Sequence, residues 1–398
     1  MPRKTKRIRK ANKKALAIVF AAALVITTVI TGVVAVLYGS DISLPDFQNP
    51  QKASVSSSKN NDPEQPEVIV EKKQPPEELR AVMIKPGRDF SFTDDAEKLK
   101  GNIDKSLENA AELKMNTVVI DTLCDDGSLF YKSSFMESRI PGEFDPFVYA
   151  IDAARQQGFY VMATYNITPV AFDSSDISAL GKATSALIDG VRADIANFAV
   201  NYQPDAVMLD GYYNLLTKKS YTNYLTLGGG AGFEKYMRSV PETLLKIVQQ
   251  QLAADAPQVS VGLLTEAVWA NDYEDSEGSA TSAAFCTYAD GYADTLSFIE
   301  EGMADFIAVK AYGSIDDQSI PYQTVAAWWS DAVTSRGIPF YVVHAADKAV
   351  TEETGWSEYD QLARQVIEAR EMPGYSGSIF NSLDRLMENP ADCATKLI

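Results

Sequence analysis

The sequence predicts an α/β fold, a (β/α)8 TIM barrel preceded by a transmembrane helix and a disordered tether. Two observations carry the barrel: eight short apolar runs alternate with helical segments over about 320 residues, which is the count and length of that fold. In addition, several runs end abruptly in a polar residue, as strands do when their carboxyl ends carry a site. A third observation, an uncharged stretch behind a basic tail, supplies the anchor.

The first fourteen residues hold eight Lys or Arg and no acid, and they run into Ala15–Tyr38, 24 uncharged residues rich in Ala, Val, Ile and Thr. That length spans a bilayer. A cleaved signal peptide also begins with positive charge, but its apolar core is only about 7–15 residues long, so a retained single-pass anchor is the preferred reading. Positive charge stays inside, which puts residues 1–14 in the cytoplasm and everything after Tyr38 outside the cell membrane. Residues 39–77 are rich in Ser, Asn, Pro, Gln, Lys and Glu and bury too little to fold. As a flexible tether they reach on the order of 35 Å, ahead of a barrel domain at 78–398.

Strand-like runs follow at Leu79–Ile84, Thr117–Ile120, Tyr160–Ala163, Ala206–Leu209, Val259–Leu263, Phe306–Val309, Phe340–Val343 and Ser378–Phe380. Each is short and mostly apolar, as a strand buried on both faces should be. Between them the pattern is helical, roughly over Ala96–Lys114, Pro146–Gln157, Ala179–Tyr202, Gly232–Ala254, Tyr292–Glu301, Thr324–Arg336 and Ser357–Arg370. Gly158, Gly302 and Gly337 stand where left-handed C-caps belong. An open doubly wound sheet is the alternative, but it calls for fewer strands and usually a Gly-rich first turn, which ELRAVMIKPGRDF lacks.

Charge and cysteine content exclude several functions. All 54 acidic residues, but only 28 of the 36 basic ones, lie beyond the N-terminal tail, and a surface so acidic repels nucleic acid. Cys124, Cys286 and Cys393 are far apart, which excludes a zinc ribbon and a dense disulfide framework. One disulfide remains open. His344 is the sole histidine, so a multi-histidine metal centre is excluded. No Gly-x-Ser-x-Gly elbow, phosphate loop or dinucleotide fingerprint is present, and no cofactor is implied. The GGGAG run at Gly228–Gly232 has no Lys-Ser/Thr after it and reads as a loop.

In a barrel the strand ends converge on one face. Here they bring Lys85, Asp121 with Asp125 and Asp126, Tyr165 and Asn166, Asp210 with Tyr212 and Tyr213, Glu266 and Trp269, Lys310 and Tyr312, His344 and Asn381. Carboxylates, aromatics and amides suit a carbohydrate, and glycosidic cleavage usually needs two carboxyl groups. Asp210, Glu266 and Asp121 are the catalytic candidates. Asp210 leads, because DAVMLDGYY places it at the end of a buried strand, where a charge is costly unless used or paired; pairing with Lys310 is its structural alternative. Tyr165, Asn166, Tyr212, Trp269, Lys310, Tyr312 and His344 are the candidate substrate-binding residues.

These residues carry a resemblance. From Glu78 to about Pro390 the chain resembles the glycosyl-hydrolase-like family 10 proteins, bacterial (β/α)8 barrels of cell envelopes. The match runs through ELRAVMI, NTVVIDTLCDDGSLFYKSSF, FDPFVYAIDAARQQGFYVMATYNI, DAVMLDGYY, VSVGL, YADTLSFIEEGMADFIAVKAYG and GSIFNSLDRL. The resemblance implies a glycan hydrolase, and for some members a peptidoglycan glycan-strand substrate. There are departures on the presumed active face. Gly211 stands where the family has a second acid and Asn214 where it has a proline; Met162, Thr164 and Ile167 depart from a His-Ala-Trp-x-Asn-Pro pattern, and Lys310 replaces a Gln. The expected protein is therefore a membrane-tethered glycoside hydrolase of cell-wall glycan. A catalytically degraded barrel that binds wall glycan or an envelope protein is the alternative.

Overall fold

The computed structural model describes residues 71–133, 138, 140, 142–167, 180–213 and 232–397. The basic tail, the apolar segment 15–38, the tether up to residue 70 and the GGGAG loop up to residue 231 lie outside the described residues. No helix among the described residues is long and apolar enough to cross a membrane.

Eight strands, β1 (Leu79–Ile84), β2 (Thr117–Ile120), β3 (Tyr160–Asn166), β4 (Ala206–Asp210), β5 (Ser260–Glu266), β6 (Phe306–Lys310), β7 (Phe340–Ala345) and β8 (Tyr375–Asn381), close into a barrel in sequence order. Every pair is parallel, and β1 meets β8 through Leu79 opposite Gly377. Around it run α1 (Ala96–Glu112), α2 (Pro146–Gln156), α3 (Leu180–Tyr202), α4 (Phe233–Asp255), α5 (Thr295–Glu300), α6 (Tyr322–Thr334), α7 (Gln361–Arg370) and α8 (Leu383–Glu388). The TIM barrel read from the sequence is the fold observed.

Local chemistry sets the helix boundaries. Asp95 and Asp145 accept hydrogen bonds from the first backbone N–H groups of α1 and α2, and Asp294 does the same for α5, meeting donors that no helical carbonyl can reach. Gly158, Gly302 and Gly337 take positive φ of 88°, 71° and 68° just past α2, α5 and α6, as expected of C-caps. The helix expected from Tyr292 begins only at Thr295, because Tyr292 itself has φ 54°.

Strand alternation then divides the side chains between two cores. Ala81, Met83, Val119, Met162, Met208, Leu264, Ala308, Tyr341, Val343 and Ile379 fill the barrel, whereas Val82, Val118, Val161, Val207 and Leu263 pack outward against the helices. Gly262 has no side chain because the Phe306 ring occupies that place, 2.1 Å from where a Cβ would stand. Following the inward positions to the carboxyl ends of the strands leads to Lys85, Asp121, Asn166, Asp210, Glu266, Lys310 and Asn381.

At the opposite end the structure revises the domain boundary. Residues 71–77 are not free tether: Lys72 Nζ lies 2.5 Å from Asp305 Oδ2, and Lys73 Nζ lies 2.6 Å from Asp205 Oδ2 and 5.4 Å from the Tyr160 ring centre. Polar composition hid this strap because its contacts are charges supplied by the barrel. The three cysteines are buried, and no disulfide forms among the described residues.

Candidate active site

Asp210 ends β4, Glu266 ends β5 and Lys310 ends β6, and register sets Glu266 directly beside Lys310. Lys310 Nζ lies 3.1 and 3.3 Å from the two Asp210 oxygens, 3.0 Å from Glu266 Oε1 and 2.8 Å from the Tyr213 hydroxyl. Tyr213, just past β4, reaches Asp210 Oδ1 at 2.8 Å and Glu266 Oε1 at 2.7 Å. Four side chains from three neighbouring strands thus meet at one point of the mouth. Tyr213 is 3% exposed, while the side chains of Asp210 and Glu266 are 18% and 34% exposed, so the carboxylates remain reachable.

Burial alone would push the Lys310 ammonium down, but the Asp210 and Glu266 carboxylates outweigh it and hold Lys310 well above its ordinary value. Burial, followed by the same two carboxylates, raises the Tyr213 hydroxyl far above its ordinary value. Both stay protonated at any physiological pH. Lys310 then supplies three protons and Tyr213 one, shared over six contacts.

Asp121 stands apart from this group. Its Oδ1 accepts from Thr164 Oγ1 at 2.8 Å and from the Leu123 N–H at 3.1 Å, and Lys85 Nζ is 3.8 Å from Oδ2. Asn166 lies opposite Asp210 in the β3–β4 register. The Tyr312 hydroxyl accepts from Asn381 Nδ2 at 3.0 Å, and burial raises it to about 12 against the pull of Lys310. These residues line the mouth on either side of the carboxylate pair.

Four expected binding residues do not reach the mouth. His344 is fully buried with the outward parity of β7, between Gln365 Oε1 at 3.0 Å and Ser378 Oγ at 2.9 Å, and stacked against Tyr322 and Phe380. Burial lowers its pKa to about 4, so it is a neutral packing residue. Tyr165, one place out of phase with Asn166, is fully buried and donates to Asp194 Oδ2 at 3.0 Å. Tyr212 is buried with its hydroxyl 3.0 Å from Thr295 Oγ1. Trp269, 4% exposed, stacks 4.2 Å from Tyr288 inside the helix layer. All four were picked as polar or aromatic residues near strand ends, and the pleat or the turn beyond it aims them away.

Among the described residues no group of His, Cys, Asp and Glu is arranged to hold a metal ion. The βα segments 168–179 and 214–231, which follow β3 and β4, lie outside the described residues.

Comparison with known proteins agrees with this fold. The model of the family Glycosyl hydrolase-like 10 matches residues 188–358, a span that includes Asp210, Glu266 and Lys310. Glycosyl hydrolase YngK of Bacillus subtilis is 26% identical over 325 residues, 72% of this chain and 63% of its own length. Glycosyl hydrolase DigH of Escherichia coli K12 is 26% identical over 333 residues, 71% of this chain and 75% of its own. The chain thus spans less than two thirds of the Bacillus relative. Among solved structures, the glycoside hydrolase domain of PgaB (BpsB) from Bordetella bronchiseptica superposes with a TM-score of 0.55 at 10% identity, covering 80% of this chain and 97% of that one. An endo-1,4-beta-D-mannanase from Thermotoga petrophila gives 0.50 at 12% identity, covering 76% and 87%. At such identities these two structures speak for the fold alone.

Proposed function

We propose, from the resemblance of this chain to the glycosyl hydrolase-like 10 family, that it is a glycoside hydrolase acting on cell-wall glycan strands of the peptidoglycan type. Its apolar segment 15–38 would hold it on the outer face of the cell membrane. The observation that carries the enzymatic reading is the pair Asp210 and Glu266, joined through one hydroxyl and one ammonium at the mouth of the barrel.

The geometry supports a division of roles. Both Asp210 oxygens face the Lys310 ammonium, which suits a carboxylate that attacks or steadies the sugar cation. Glu266 meets Lys310 and Tyr213 through Oε1 alone, and its Oε2 takes no hydrogen bond among the described residues. That oxygen supports reading Glu266 as the residue that serves the leaving group. Two hydrogen bonds of 2.8 and 2.7 Å through one oxygen hold the bridged carboxyl oxygens closer than the roughly 6.5–9.5 Å of an inverting pair. A retaining mechanism fits.

Lys310 favours a second reading: a cation seated between both carboxylates is also what a barrel kept only for binding would need. Incubating the fragment from residue 71 with purified peptidoglycan strands, with and without stem peptides, and with other cell-wall and plant glycans separates the two. Cleavage with the anomeric configuration retained, seen by NMR of the first product, supports the hydrolase. Binding without cleavage makes Asp210 a binding residue, and neither binding nor cleavage removes both readings.

A further inference from the structure

Gln365, on α7, is fully buried at a place where an aliphatic side chain would pack with no polar group to satisfy. Both ends of its amide are used. Nε2 donates to the Gly313 carbonyl at 3.1 Å, and Oε1 lies 3.0 Å from His344 Nδ1. Because a carbonyl only accepts, everything behind this contact has one orientation: His344 Nδ1–H donates to Gln365, the Ser378 hydroxyl donates to His344 Nε2 at 2.9 Å, and the Tyr375 hydroxyl donates to Ser378 at 2.8 Å. Four hydrogen bonds thus run one way and end on Gly313, and members of such a chain strengthen one another.

The chain ends where the backbone behind the site leaves the sheet. The β6–β7 register stops at Lys310 opposite Val343. Past it, the Ala311 and Tyr312 N–H groups reach only back to the Val309 and Lys310 carbonyls, each at 2.9 Å, which shapes the turn without tying it to the barrel. The bond from Gln365 to the Gly313 carbonyl supplies that tie, one residue before the Ser314 carbonyl accepts the Tyr322 N–H at 3.0 Å. Tyr312, whose hydroxyl meets Asn381 at the mouth, stands between the end of the ladder and this anchor. We infer that Gln365 is a positioning residue for the glycan site: from the helix layer it holds the turn that aims Tyr312, without reaching the mouth itself. This assignment rests on the hydrolase reading and adds to it a residue that touches no substrate.

The test uses the full chain and compares wild type with Gln365→Met, Tyr322→Phe, Tyr312→Ala and the double variant Gln365→Met with Tyr312→Ala, in kinetics on glycan strands and in backbone amide exchange. Gln365→Met should raise KM about fivefold, the scale of one lost hydrogen bond, with kcat held, and should speed exchange at 311–313 but not within β6. Tyr322→Phe removes the other buried bond to Gln365, from the Tyr322 hydroxyl to the Gln365 carbonyl at 2.9 Å, so it should lower Tm while leaving KM and that exchange unchanged. In the double variant KM should match Tyr312→Ala alone, because residues acting through one another are not additive. Should Gln365→Met fail to fold, Gln365→Glu, which keeps the acceptor for His344 and loses the donor to Gly313, reads the same quantities. An unchanged KM in the Gln365 variant, an equal rise in Tyr322→Phe, or additive effects in the double variant overturns the assignment while wild-type cleavage keeps the hydrolase. If wild type neither binds nor cleaves a glycan, both fall.

Discussion

Asp205 and Asp210 bracket the same strand, Asp-Ala-Val-Met-Leu-Asp, yet they do opposite work. Asp205, at the amino end of β4, accepts the Val161 N–H at 2.9 Å and faces Lys73 and Arg155 at 2.6 and 3.6 Å. It is tied to backbone and so fixes the β3–β4 pairing. Asp210, at the carboxyl end, accepts a backbone bond only from its own neighbour Gly211, at 2.7 Å, and otherwise meets the side chains of Lys310 and Tyr213. Asp305 and Lys310 repeat the contrast on β6: the first accepts the Val261 N–H at 2.8 Å, the second meets only side chains. A carboxylate spent on the backbone holds the fold, whereas one held by side chains at an open mouth is available for chemistry.

Removing the charge from the upper acids should break that contrast most sharply. Asp210→Asn or Glu266→Gln should lower turnover on glycan strands at least about a hundredfold, the scale of a lost acid or base, with the melting temperature within a few degrees of wild type. If Asp210→Asn unfolds the domain while turnover per folded molecule holds, Asp210 belongs with Asp205. Asp121→Asn should cost far less than either, because no hydrogen bond links Asp121 to the pair.

His344 sharpens the comparison through pH. Gln365 Nε2 donates to the Gly313 carbonyl at 3.1 Å, which leaves Gln365 Oε1 to accept from His344 Nδ1–H, so Nε2 accepts from the Ser378 hydroxyl. Such an imidazole is neutral, and burial lowers it from its ordinary 6.5 to about 4. The unfolded chain takes up a proton below pH 6.5 and the folded chain resists until about 4, so this stability is full above pH 6.5 and is lost as the pH falls. A loss of about 3 kcal/mol across that window is the upper scale. Melting curves at pH 7 and 4.5 should show a steeper acid loss in wild type than in His344→Gln; parallel losses would mean His344 is not the group responsible.

Asp205→Ala comes next, because it strips the buried Val161 N–H of its acceptor. A cost of about 1–3 kcal/mol follows from an unsatisfied buried donor, and turnover at pH 7 should hold. A fall in turnover beyond the change in folded fraction would show that the amino end reaches the mouth after all.

The barrel was legible because buried parallel strands write apolar runs, and Asp caps with Gly stops write helix ends. Asp210, Glu266 and Lys310 were legible as polar residues closing such runs. What misled was treating every polar or aromatic residue near a strand end alike. In ATYN and VVHA the period of two already sets Asn166 inward and Tyr165 outward, and sets His344 opposite to Val343, which fills the barrel. Past the strand no period exists, so nothing local separated Tyr212, buried on Thr295, from Tyr213, which bridges the carboxylates.

The smallest effect belongs to the strap. Lys72 and Lys73 close over the amino ends of the strands, above a cavity of about 220 Å³ lined in part by Tyr160, Met162, Phe306 and Tyr341, but their side chains are 36% and 52% exposed. Exposed pairs are worth only about 0.2–1 kcal/mol each and weaken as salt screens them. Lys72→Ala with Lys73→Ala should therefore lower stability by about 0.4–2 kcal/mol at low salt, and the difference from wild type should shrink at about 1 M salt, where the screening length falls to roughly 3 Å. Turnover should not change, because the strap and the carboxylate pair sit at opposite ends of the same strands. A salt-independent loss would mean that the lysine stems stabilise by covering Tyr160 rather than by charge, and the amino end would then be held by packing instead of by its two acids.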